Sequence, residues 1–134
     1  MRSRTLQRCL LPVWLITASC SLSETGPGTI NVPTVGSQRN SFAFAVVARS
    51  LELDQSYSLS FDADSVSVGL AVTGYAAGSG SLELRDASSQ LVFSRDLAGN
   101  VAEAASALPT AHPATARLRF TSFTGTVAVG VHAR

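Results

Sequence analysis

The sequence predicts an all-β chain, a single antiparallel β-sandwich of about seven strands over residues 41–134. Three observations carry this. Apolar and polar residues alternate with a period of two in six separate segments, the mark of strands with one buried face. Short clusters of Gly, Asp, Ser and Thr separate those segments, which favours antiparallel neighbours joined by hairpins. The chain has 134 residues, 46% of them hydrophobic and only 14% charged, which suits one globular domain rather than a disordered chain.

Residues 1–19 read as a secretory signal peptide. Arg2, Arg4 and Arg8 form a positive start, and Leu10–Ile16 an apolar stretch interrupted only by Pro12. Thr17, Ala18 and Ser19 follow as a run of small residues. That layout marks export. The alternative is a short helix or buried strand of the folded domain. The apolar stretch is far shorter than the roughly 20 residues a membrane-spanning helix needs.

Thr17-Ala18-Ser19-Cys20 resembles a bacterial lipobox, the motif that ends in a lipidated cysteine. The resemblance covers residues 1–20. It implies a diacylglyceryl group on the Cys20 thiol, cleavage between Ser19 and Cys20, and a further acyl chain, such as palmitate, on the new N-terminus. Thr17 stands where Leu is commonest, with Ile16 one position earlier, and ordinary cleavage nearby is the alternative. Ser21 follows the cysteine rather than Asp. By resemblance to enterobacterial sorting, this implies the outer rather than the inner membrane. Cys9 would leave with the leader, so the mature chain would hold neither a free thiol nor a disulfide. A Cys9–Cys20 disulfide would require the leader to survive. One acyl chain binds a membrane only marginally, and two or three hold a protein there. The membrane is therefore the expected partner.

Charge points to no polyanion. All ten basic residues are Arg, nine residues are acidic, and the formal net charge is +1. Residues 20–134 keep seven Arg and all nine acids, a net charge of −2. No basic footprint for nucleic acid remains.

Residues 20–40 read as the lipidated cysteine and a flexible tether. Gly26, Pro27, Gly28, Pro33 and Gly36 punctuate the segment, and no period survives. A flexible chain of this length reaches about 25 Å, enough to lift the domain clear of lipid headgroups. The alternative places Ile30-Asn31-Val32 or Thr34-Val35 in the sheet, where Pro33 would confine the strand to an edge.

Within the domain, Phe42, Phe44, Val46 and Ala48 share one face of a strand. Tyr57, Leu59 and Phe61 alternate with serines, and Val66, Val68, Leu70 and Val72 with small residues. Leu82 with Leu84, Leu118 with Phe120, and Val127, Val129 and Val131 repeat the pattern. Expected turns are Asp54-Gln55, Ala63-Asp64, Gly78-Ser79-Gly80, Asp86–Ser89 and Thr124-Gly125. About seven strands in some 95 residues is the size of a β-sandwich. Residues 79–93, and the Phe123–Val127 turn, resemble small β-sandwich modules of secreted bacterial proteins; such a likeness implies a fold and no function. One segment breaks the period. Asn100 and Glu103 have the spacing of a capping box, and Val101, Ala104, Ala105 and Leu108 would share a helical face. A one- or two-turn helix ending at Pro109, or an extended loop, is expected there.

Candidate chemistry is sparse. His112 and His132 are the only histidines and read as surface imidazoles, since a metal site needs three or four convergent ligands. No serine sits in a G-x-S-x-G elbow, so an enzyme is not expected, and neither is a cofactor. Asp62 and Asp64 are candidate calcium ligands, with Asp54 and Asp86 approaching from other loops. The plainer reading is a solvated turn in which Asp bonds its own backbone. Trp14 would leave with the leader. Tyr75 and Phe123, near loops, are the aromatics that could stand exposed for a sugar. The expected function is that of a lipid-anchored envelope protein with a structural or interaction role towards protein or glycan. The alternative is a carbohydrate- or calcium-binding module, anchored or else periplasmic or secreted.

Overall fold

A computed structural model describes residues 29–109 and 112–134. The leader, Ser19 and Cys20 lie outside the described residues. All regular structure among them is β: β1 (Thr34–Gln38), β2 (Ser41–Ser58), β3 (Ser65–Arg85), β4 (Leu91–Asp96), β5 (Val101–Pro109) and β6 (Thr115–Ala133). They form one antiparallel sheet in the order β1-β2-β6-β3-β4, with β5 also paired to β3. The last strand is thus central, hydrogen-bonded to β2 on one side and β3 on the other.

The count differs from the expected seven strands in two separate sheets, and the reason is physical. Three of the expected turns lie inside long strands. Asp54-Gln55 lies within β2, Gly78-Ser79-Gly80 within β3 and Thr124-Gly125 within β6. Between Ala48 and Leu53, the β2–β6 ladder shifts register twice. Between Thr73 and Ser79, the β3–β6 ladder does the same. Extra residues of this kind are β-bulges, which bend a strand and sharpen its twist. They line up across three adjacent strands and crease the sheet.

The crease folds the sheet onto itself. Phe42 and Tyr57 lie in the same strand, and a straight strand would hold them about 50 Å apart. Their ring centroids are 5.7 Å apart. Phe44 likewise stacks on Phe120 at 6.2 Å, although the register partner of Phe120 is Leu53. The first leaf holds β1, β5 and the halves of β2, β3 and β6 that include Phe44, Val68 and Val129. The second holds β4 and the other halves, with Leu53, Leu82 and Leu118. One core fills the space between, including Phe42, Phe44, Leu70, Leu82, Leu118 and Phe123. The inward residues are those that the period of two marks as apolar.

Glycine is required at the crease. Gly78 has φ of +87°, and a Cβ there would lie 2.3 Å from the Ser122 carbonyl oxygen. The β2 and β6 bulges instead use Ser50 and Ser122, with φ of 50° and 48°. Their left-handed backbones are held by side chains. The Ser50 amide donates to Thr124 Oγ1 at 3.0 Å, and the Ser122 amide donates to Glu52 Oε1 at 2.6 Å.

The segment expected to be a short helix or an extended loop is a strand, β5. β5 pairs with the β3 edge from Ser65 to Val72. That edge carries backbone groups which a strand satisfies along its length, whereas a short isolated helix must first overcome a costly nucleus. Asn100 caps no helix; its Oδ1 accepts from the Tyr75 amide at 2.9 Å and ties the loop after β4 to the crease.

Part of the expected tether belongs to the sheet. β1 pairs with β2 from Thr34↔Ala45 to Gln38↔Ser41. The chain is already docked before it, because the Asn31 amide donates to the Val47 carbonyl at 2.8 Å. The Asn31 side chain then acts as a strand partner. Its Nδ2 donates to the Arg49 carbonyl at 2.9 Å, and its Oδ1 accepts from the Arg49 amide at 2.7 Å.

Four stability outcomes follow, each measurable by urea unfolding of residues 20–134 carrying Cys20→Ser. Gly78→Ala costs at least about 2 kcal/mol from strain and overlap. Gly36→Ala, with nothing within 4 Å of its Cβ, changes stability by no more than about 0.5 kcal/mol. Val68→Asp, which places an unpaired charge in the core, abolishes the cooperative transition, while Ser67→Asp on the outward face leaves it in place. Asn31→Ala lowers stability by about 1 kcal/mol through its two lost side-chain bonds.

Candidate functional site

The outward face of the second leaf holds most of the organised charge. In β6, Arg117 and Arg119 alternate with the buried Leu118 and Phe120, so the pleat presents both guanidinium groups on one surface. Arg117 forms a forked pair with Asp54 of β2, with Nε and Nη2 each 2.8 Å from a carboxylate oxygen. Arg119 Nε lies 3.5 Å from the same Asp54. Glu83 of β3, directly across from Arg117 in the ladder, accepts from Arg85 at 3.0 Å. The hydrogen bond from Arg117 chiefly holds the Asp54 carboxyl below the usual carboxylate range, and Arg117 is raised in return.

Beside this network runs an open groove of about 400 Å³ lined by Ser79, Ser81, Ser94, Asp96, Arg119 and Thr121, among others. Its hydroxyls, one carboxylate and two guanidinium groups, those of Arg95 and Arg119, suit a small polar ligand. Arg119 lines it with one loose ionic contact, whereas Arg117 is fully engaged by Asp54.

At the opposite end from the crease, the loop before β3 holds the expected calcium candidates. Asp62 is engaged by Arg39, whose Nε lies 2.5 Å from Oδ2. Asp64 lies 3.6 Å from His112 Nε2. Asp54 is committed to Arg117. Asp86 holds its own turn: Oδ1 accepts from the Ser88 amide, the Ser88 hydroxyl and the Gln90 amide at 2.7–2.9 Å. These bonds, with Ser88 Oγ foremost, lower the Asp86 pKa. The four aspartates do not converge. Among the described residues no group of three or more His, Cys, Asp or Glu is placed to hold a metal.

The aromatics divide differently from expectation. Phe123 is fully buried in the core rather than exposed near a loop. It follows the bulge at Ser122, which turns it inward, and a pattern of alternation alone does not reveal that. Tyr75 is half-buried, packs on Phe123 at 5.8 Å, and donates from its hydroxyl to the Gly78 carbonyl at 2.7 Å. Its role is to brace the crease. Tyr57 is half-buried against Phe42 and Phe44, and burial raises its pKa.

Two further contacts carry no signal in the sequence. Ser41 Oγ lies 3.2 Å from His132 Nδ1, because the β2–β6 register sets these residues opposite each other. They are 91 positions apart, so no local spacing signals the pair. Arg95 of β4 forms an ion pair with Glu103 of β5. Both strands flank β3, in different leaves, so this pair clasps the open side of the fold.

Asp54 and Asp86 set an acid limb. A carboxylate whose pKa is depressed on folding stabilises the fold above its unfolded pKa. That contribution is lost as pH falls through the folded value. The melting temperature of residues 20–134 with Cys20→Ser should therefore fall as pH drops below the ordinary carboxylate range. Asp54→Asn, compared with the parent by thermal melts in citrate and phosphate buffers, should flatten this fall. An unchanged acid limb would show that the pair contributes nothing in solution.

No protein-family model, curated protein sequence or solved structure matches this chain.

Proposed function

We propose that the chain is a lipid-anchored protein of a bacterial cell envelope. Its folded-over sheet would serve as a small sandwich-like module with a structural or interaction role. The observation that carries this is the order Arg2, Arg4, Arg8, the apolar stretch Leu10–Ile16, and Thr17-Ala18-Ser19-Cys20. Cys20 is the only cysteine of residues 20–134, which suits a residue kept for acylation. The outer membrane is the proposed address, from Ser21. The membrane is the partner through the anchor, and a protein or a glycan is the partner of the domain.

A second reading, a module for a polar ligand such as a carbohydrate, is favoured by the groove beside Arg119. Calcium is less suited to the loop before β3, because it would have to displace Arg39 from Asp62. Glycan-array binding that is lost in Arg119→Ala would select the second reading.

The first reading is tested by intact mass. Protein from the membrane fraction of a Gram-negative host should have the mass of residues 20–134 plus acyl chains. Cys20→Ala should abolish both the added mass and the membrane association. An unacylated chain cut elsewhere would reject the anchor and leave a free periplasmic or secreted protein.

A further inference from the structure

The described residues begin beside the crease, and the surface there is apolar. Ile30 is 48% exposed, Val32 55% and Val47 37%. Val47 shares one shallow surface hollow with Ile30 and a second with Val32, so the three form one patch. Thr126 borders both hollows. Among the described residues neither hollow is lined by an acidic side chain, and the one charged side chain on their rim is Arg49. The patch continues onto the outward face of the first leaf, where Ala43, Ala45, Ala128 and Ala71 expose small uncharged side chains. The second leaf, with Asp54, Glu83, Arg117 and Arg119, carries the opposite chemistry.

Where the chain leaves this patch decides what covers it. Nine chain steps separate Cys20 from Thr29. A chain spans at most about 3.5 Å per step, so the patch can stand no more than about 30 Å from an acyl group on Cys20. A tether running free to residue 41 would allow about 70 Å at full extension, and that length is not available because Asn31 and β1 are fixed to β2.

We propose that the patch of Ile30, Val32 and Val47 rests on the phospholipid surface to which Cys20 is anchored, with Arg49 directed to the headgroup phosphates. This rests on the lipid-anchor reading above. The apolar side chains enter the boundary between headgroups and acyl chains, and a neighbouring cation adds attraction to anionic lipid. The domain then lies against the bilayer by its first leaf, and the second leaf with its groove faces away from the membrane.

The test uses the lipidated protein from membranes, reconstituted in vesicles of phosphatidylethanolamine and phosphatidylglycerol. A spin label is placed at Thr126→Cys, which leaves the three apolar side chains in place, and separately at Ala87→Cys in the turn after β3. Intact mass is read on the same samples. The expected result is a Thr126 label several-fold less accessible to an aqueous nickel reagent than the Ala87 label. Ile30→Ser, Val32→Ser and Val47→Ser together should restore access at Thr126 while the acyl mass is unchanged. Equal access at both sites on an acylated protein overturns the docking and leaves the anchor standing. Protection that disappears as the lipid-to-protein ratio rises assigns the patch to a second copy and also overturns it. A sample without acyl mass overturns the anchor, and the docking with it.

Discussion

The crease is the constraint from which the rest follows. Strands of 18, 21 and 19 residues are far longer than usual for a small domain, and a flat sheet of that length would leave both faces wet. Bending all three along one line brings the apolar faces of the two halves together. The line works only because the bulges align: Ser50 in β2, Gly74 to Gly78 in β3, and Ser122 in β6. Each stores a left-handed backbone, and each is held by a neighbour: Thr124 for Ser50, Glu52 for Ser122, and the Tyr75 hydroxyl on the Gly78 carbonyl. A bend in one strand alone would break its ladder. Three bends together keep it, shifted by a residue or two.

The same crease explains which parts of the fold were legible in the sequence. Alternation marks the inward residues, because burial imposes a period of two whether or not a strand later bends. Phe42, Phe44, Val68, Leu70, Leu82 and Val129 are therefore where the pattern puts them. The number of strands was not legible. Gly78-Ser79-Gly80 and Thr124-Gly125 have the composition of hairpin turns, and bulges use the same residues for the same reason: both need positive φ. Nor does a local signal show that β6 lies between β2 and β3. Asn100 illustrates the limit at one residue, since a side-chain oxygen placed to cap a helix equally accepts from the Tyr75 amide. The site was less legible still. The Asp54–Arg117 fork joins strands 63 positions apart, and only the register brings them together.

The two leaves turn different chemistry outward, although the alternation that builds them is the same. In the second leaf the outward positions hold Asp54, Glu83, Arg85, Arg117 and Arg119; Asp54 is paired across strands with Arg117 and Arg119, and Glu83 along β3 with Arg85. Exposed pairs of this kind add little stability each; their consequence is a fixed pattern of charge beside the groove. In the first leaf the outward positions are mostly Ala, Gly, Ser and Thr, with Val47 at the margin near the crease and His132 at the far one. A partner that reads charge and hydroxyls meets the second leaf. A partner that needs a smooth uncharged surface meets the first.

The N-terminal arm connects the crease to whatever precedes it. β1 is short, exposed at every position and joined to β2 by a two-residue turn. A pull on the arm therefore acts at the crease end of the β1–β2 ladder and would open it one pair at a time. The Asn31 clamp sits ahead of that ladder and takes the load first. It bonds both backbone groups of Arg49, next to Ser50 and its bulge. The attachment of the arm and the bend of β2 thus share one short segment of backbone. A disturbance at one is felt at the other, and the geometry of the patch around Val47 depends on both.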